Sequence, residues 1–174
     1  MFANNGYGGT STEELRAAMG IGRQSFYDTF VSKHALYVEA LQRYNRDQAT
    51  QIVEDLHSGS TLIEGISKVL SSFVDRCENS PSPVCLGTSA ICEFGRRDSA
   101  ITESSEVIAA ILLKPLVSAI QRAKEANEVR RDIDPDVAAH FLLSSLAGLK
   151  VSARAGMPPD QLRKIGCLAL QAFT

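Results

Sequence analysis

Apolar residues recur along this chain with the spacing of helices, not of strands. Leu62, Ile63, Ile66, Val69, Leu70, Phe73, Val74 and Cys77 advance in steps of three and four, which puts them on one stripe of a helix. Tyr37, Leu41, Tyr44, Ile52 and Leu56 do the same over 33–57, with Gln48 in the remaining step and Ser32 as the N-cap. A long pattern over about 100–127 carries Ile108, Leu112, Leu116, Ile120 and Ala123. Pro115 sits inside it and predicts a kink or a break, because proline lacks the N–H that a helix interior needs. Further helices are predicted over 86–96, 134–155 and 160–173. Ser80-Pro81-Ser82-Pro83 and Gly156-Met157-Pro158-Pro159 act as stops. Asp134-Pro135 opens the helix after it, since the first turn tolerates proline. Alternation with period two is almost absent, so the fold class is all-α.

Near the start the helices are short. Residues 6–11, Gly-Tyr-Gly-Gly-Thr-Ser, read as a turn, and Thr10 or Ser11 can cap a helix over 12–19. Gly20-Ile21-Gly22 breaks that helix, and a second follows over 23–29. Leu15, Met19, Ile21 and Phe26 can pack the pair together, leaving Arg23, Gln24, Ser25 and Asp28 on the outer face. That is the layout of a helix-turn-helix, whose second helix enters the major groove of DNA. Arg can pair bidentately with guanine and Gln with adenine. Thr12, Tyr27 and Lys33 flank the reading helix and are candidates for phosphate contacts. A purely structural helical corner fits the same spacing.

Composition narrows the alternatives. Of 174 residues 44% are hydrophobic and 22% charged, as expected of a folded globular chain. The formal net charge is −2, which does not by itself advertise a nucleic-acid partner. Within residues 1–50, Arg16, Arg23, Lys33, Arg43 and Arg46 are balanced by Glu13, Glu14, Asp28, Glu39 and Asp47. Cys77, Cys85, Cys92 and Cys167 form no CxxC pair, and His34, His57 and His140 are dispersed, so no metal or cofactor is expected. Cys92, just before Arg96 and Arg97, is a candidate sensing thiol, although buried cysteines are usually inert. No stretch has the length and apolarity of a membrane span and no secretory signal is expected, so the chain reads as cytoplasmic.

The stretch Gly6-Tyr7 through Thr10-Ser11, then Leu15, Met19-Gly20-Ile21, Arg23, Ser25-Phe26-Tyr27, Phe30, Lys33, Leu36-Tyr37 and Ala40-Leu41, resembles the DNA-binding head of the TetR family. Phe26 stands at the usual Leu. Phe141-Leu142-Leu143, Leu146-Ala147-Gly148-Leu149, Ala153-Arg154-Ala155-Gly156 and the Cys85-Leu86 entry to the mid-chain helix are similar to the body of a subgroup of that family. The resemblance implies a helix-turn-helix domain over 1–45 and a helical ligand-binding and dimerisation domain over 46–174. It implies that Arg23, Gln24 and Ser25 face bases, that Tyr27 and Lys33 face phosphates, and that Thr10, Ser11 or Thr12 approaches the backbone. The family carries a full helix before the turn, where this sequence has only Met1-Phe2-Ala3-Asn4-Asn5. A chain that begins late is the expectation, and it would also account for the neutral balance of residues 1–50.

The function implied is a ligand-responsive repressor that binds a palindromic double-stranded operator as a homodimer. Expected dimer-interface residues are Phe141, Leu142, Ser145, Gly148, Leu149, Leu162, Ile165 and Ala169, in a four-helix bundle between subunits. An internal helical hairpin is the plainer reading of the same pattern. Candidate liners of a pocket for an unknown small-molecule effector are Gln48, Phe73, Cys92, Leu116 and Phe141. Two other functions stay open on the residues: a regulator-derived module that no longer binds DNA, and a helical enzyme using Cys92 or the pair Glu103 and Glu106. The absence of a phosphate loop, a nucleophile elbow or a metal box weighs against the enzyme.

Overall fold

The computed structural model describes residues 1–79 and 85–174. Among them there are nine helices and no strand: α1 (Phe2–Asn5), α2 (Thr12–Met19), α3 (Arg23–Phe30), α4 (Lys33–His57), α5 (Leu62–Glu78), α6 (Leu86–Phe94), α7 (Ser99–Glu125), α8 (Pro135–Arg154) and α9 (Pro159–Leu170). The stop expected at Ser80-Pro81-Ser82-Pro83 lies outside the described residues.

The helix starts follow local chemistry. Ser11 caps α2 in a capping box: its hydroxyl accepts from the Glu14 N–H at 3.2 Å, while the Glu14 carboxylate accepts from the Ser11 N–H at 2.7 Å. The Ser11 N–H, and the Ser11 hydroxyl that donates to the same carboxylate at 2.8 Å, hold the Glu14 carboxyl below its ordinary range. Gly20 ends α2 in the left-handed region at φ 67°, where glycine is least strained. Ser32 accepts from the Ala35 N–H at 3.0 Å and so opens α4. Thr61 caps α5 and Asp134 caps α8, with Pro135 in the first turn. Of the kink or break expected at Pro115, the break does not occur, since α7 is continuous from Ser99 to Glu125. Pro115 and Ile111, one turn before it, both face outward. Solvent can therefore serve the Ile111 carbonyl that has lost its N–H partner.

The chain forms two compact units, and they do not follow the single cut at 45/46 that the sequence suggests. One comprises Met1–Asp47 and the described residues from 85 to Ile108; the other comprises residues 48–79 and Ala109–Thr174. The core of the first unit gathers Phe2, Leu15, Phe26, Tyr37, Leu41, Leu86, Ala90 and Ile101, so α6 and the start of α7 belong with the short helices. Met19 does not join it: it is 39% exposed. The core of the second unit contains the apolar stripe of α5, with Leu116, Ile120, Leu142, Leu146, Leu149, Leu162 and Phe173. In it α9 packs on both α5 and α8. Gly65 is required there, because a Cβ at this position would meet the Leu56 carbonyl at 2.2 Å.

Candidate nucleic-acid interface

Helix α3 is built to present a polar face. Its Phe26 is fully buried, in contact with the rings of Tyr27 and Phe30 at centroid distances of 5.3 and 5.5 Å. Phe26 and Leu15 of α2 share one core, which ties the two helices across the Gly20–Gly22 turn. Arg23, Gln24, Ser25, Tyr27 and Asp28 are exposed. The Arg23 guanidinium lies over the Tyr27 ring, 6.0 Å from its centroid. The Gln24 amide donates to the Asp28 carboxylate at 3.0 Å. The N–H groups of the first turn of α3 receive no side-chain cap, since the N-cap is Gly22.

The flanking residues divide. Ser11 is exposed at the start of α2, with its hydroxyl engaged by Glu14 at 2.8 Å, and Thr12 is half-buried beside it. Thr10 departs from the expected role: its side chain is 1% exposed and donates to the Gly6 carbonyl at 2.7 Å. Lys33 departs as well. Its ammonium donates to the Tyr7 and Thr10 carbonyls, both at 2.9 Å, and sits 4.1 Å from the centroid of the Tyr7 ring. Charge, aromatic face and turn carbonyls outcompete solvent here, so Lys33 clasps the turn before α2 instead of reaching outward.

The same turn is held from its other side by Glu93 of α6. The Tyr7 and Gly8 N–H groups donate to its carboxylate at 2.9 and 2.7 Å. Close by, His34 in the first turn of α4 meets Asp98 at 2.6 Å, and Asp98 also accepts from the Ile101 N–H at 3.1 Å as α7 begins. Burial pushes the Asp98 carboxyl up, but the Ile101 amide and the His34 ring together outweigh it and hold it below its ordinary range. Glu93 and Asp98 escaped sequence reasoning because their partners lie 86 and 64 residues away. Asp28 was legible as an outward residue, and its spacing of four from Gln24 is the signal for the pair.

Two recesses of the second unit bear on the expected pocket liners. An apolar cavity of about 20 Å³ is lined by Ile52, Leu56, Val69, Pro115, Leu116 and Leu142 among others, and a shallow groove of about 300 Å³ is lined by residues including His57, Thr61, Arg122 and Glu128. Of the candidates only Leu116 lines either of these two. Phe73 is core, Phe141 is exposed, Gln48 is half-buried, and Cys92 is an exposed residue of the first unit. Arg96 and Arg97, expected to activate Cys92, instead engage Glu106 and the carbonyls of Phe94 and Glu93. Cys77 is half-buried, and burial pushes its thiol up.

The expected interface needs a similar correction. Leu142, Leu149, Leu162 and Ala169 are buried within the protomer, because α9 packs on α5 and α8 packs on α9. Ser145 and Ile165 are half-buried. The outward apolar face of α8 consists of Val137, Phe141, Gly148 and Val151, and that of α9 carries Leu168 at 66% exposure.

Comparison with known proteins places this geometry. Residues 1–40 match the family model for bacterial regulatory proteins of the tetR family, and residues 63–167 match that of the tetracyclin repressor-like C-terminal domain. The chain is 27% identical over 155 residues to the HTH-type transcriptional repressor DhaR of Mycobacterium sp. (strain GP1), covering 85% of this chain and 74% of that protein. It is 26% identical over 165 residues to the HTH-type transcriptional regulator YezE of Bacillus subtilis (strain 168), covering 94% and 85%. Among solved structures it resembles a cysteine variant of the TetR family regulator CifR complexed with 26-base-pair operator DNA. The TM-score is 0.84 at 26% identity, covering 99% of this chain and 91% of that one.

Proposed function

The chain belongs to the TetR family of bacterial regulatory proteins, and on that premise we propose that it is a transcriptional repressor that grips a palindromic operator as a homodimer and releases it when an effector binds. The observation that carries this reading is the exposed edge of α3, where Arg23, Gln24, Ser25 and Tyr27 stand outward on a helix anchored by the buried Phe26. Ser11 and Thr12 at the start of α2 are the flanking candidates for phosphate contact. Thr10 and Lys33 support them from inside by fixing the turn. The operator complex of the CifR variant supports the same assignment.

Two copies joined through the outward face of α8 and α9 would present two such edges to successive half-sites, as two-fold symmetry requires. The effector belongs to the second unit, at the apolar cavity beside Leu116. At about 20 Å³ that cavity has room for little more than one water. An effector must therefore favour a more open arrangement, and it releases DNA only by binding that arrangement more tightly. Among the described residues no helix is long and apolar enough to cross a membrane, and action on DNA would take place in the cytoplasm.

The test is selection from a randomised duplex pool with the full chain. The expected product is an inverted repeat with half-site centres about 34–36 Å apart or a multiple of that, bound by chains in even number. Leu168→Glu on the exposed face is expected to lower the affinity by separating the subunits. Recovery of no sequence, or of a non-repeated one, contradicts the proposal.

A further inference from the structure

We infer that Asp28 is a positioning residue for base recognition, orienting Gln24 so that its amide reads adenine. The inference rests on the proposed DNA-reading role of α3 and adds a residue to it. Gln24 and Asp28 lie four residues apart on α3, both exposed, with the Gln24 nitrogen 3.0 Å from the Asp28 carboxylate. That spacing stacks two side chains on one helix face. A carboxylate accepts and cannot donate, so only the amide NH₂ can form this bond. The contact therefore decides which way the amide faces, which an isolated glutamine on a helix surface leaves free.

One N–H of the amide is directed to Asp28. The second N–H and the Oε1 oxygen remain, side by side, as a donor and an acceptor. Adenine offers the complement in the major groove, an acceptor at N7 and a donor at N6. Guanine offers two acceptors, N7 and O6, so Oε1 would face O6 without a proton between them. A glutamine free to turn can adapt to either edge, whereas one tethered to Asp28 cannot. The pair also explains an acidic side chain on a surface that must approach phosphates. Its charge opposes sequence-independent attraction, and its hydrogen bond sharpens the sequence-dependent part.

Selection from a randomised duplex pool, repeated with Asp28→Ala, Asp28→Asn, Gln24→Ala and the Asp28→Ala/Gln24→Ala double variant, tests this. The wild-type chain is expected to enrich adenine at one position of each half-site. Asp28→Ala should lower the adenine-over-guanine preference at that position by about tenfold, with other positions and the melting temperature unchanged. Asp28→Asn should lower it as well, because an Asn amide can donate to Oε1 as readily as its carbonyl accepts the N–H and so no longer fixes which way Gln24 faces. In the Gln24→Ala background, Asp28→Ala should change nothing further at that position. An Asp28→Ala chain that keeps the wild-type preference overturns the inference, and so does an Asp28→Asn chain that keeps it in full, since an accept-only partner would then not be what orients Gln24. A wild-type chain that enriches no sequence overturns the DNA-reading role itself. That result is distinct from a wild type that enriches adenine regardless of Asp28.

Discussion

Lys33 carries its charge into the protein instead of toward a duplex. Two carbonyls at 2.9 Å and an aromatic face at 4.1 Å hold its ammonium over the turn before α2. Lys33→Ala is therefore expected to act first on stability, lowering it by about 1–3 kcal/mol after allowance for partial exposure. Thermal or denaturant unfolding of the isolated protein, without DNA, measures that loss. A Lys33→Ala chain that unfolds like the wild type but binds duplex DNA weakly would restore the phosphate role. Residue type and spacing revealed the outward set Arg23, Gln24 and Ser25, because a short amphipathic helix leaves them no inward alternative. They did not reveal the direction of Lys33 or the burial of Thr10, since both depend on the carbonyls and hydroxyls that the Gly6–Thr10 turn brings together. At Val31 the chain leaves α3 with φ 60°, a conformation that costs a β-branched residue roughly 1–3 kcal/mol and that no pattern of polarity announces.

Helix boundaries were the most legible level. Ser11, Ser32, Thr61 and Asp134 each stand at the start of a helix whose apolar stripe begins within a few residues. The sequence placed α5 and α8 to within a few residues for that reason, and α9, which has no side-chain cap, by its apolar spacing after the proline stop. Of the kink or break expected at Pro115 only the break is excluded, since α7 runs on through it with that side exposed to solvent. The sequence could not show that Asp98 serves two helices at once, capping α7 while bonding His34 of α4. The sign of the pH effect follows from the depressed carboxyl of Asp98. Its contribution is complete above the unfolded value of 3.8 and is lost as pH falls through the lower folded value. Asp98→Asn keeps a capping side chain but removes the titrating group. Unfolding followed between pH 2 and 7 should show a smaller acid loss in this variant than in the wild type, with the difference arising below about pH 4. Equal acid losses would mean that Asp98 is not linked to stability.

At the scale of the whole molecule the sequence separated a head from a body but could not assign α6 and the start of α7 to the first unit. Glu93 and Asp98 make that assignment through contacts with Tyr7, Gly8 and His34, and such long-range pairs leave no periodic trace. The outer face of α8 and α9 was likewise hidden, because both sides of these helices are apolar and only the packing of α9 on α5 and on α8 distinguishes them. What the molecule does still depends on whether the edge of α3 reads bases. The most direct measurement compares wild type and Arg23→Ala for binding to the selected operator and to a scrambled duplex at one fixed salt concentration. The predicted result is a loss of about 1–3 kcal/mol on the operator, with affinity for the scrambled duplex falling far less. Equal losses on both duplexes, or none on either, would contradict the assignment of α3 as the reading helix.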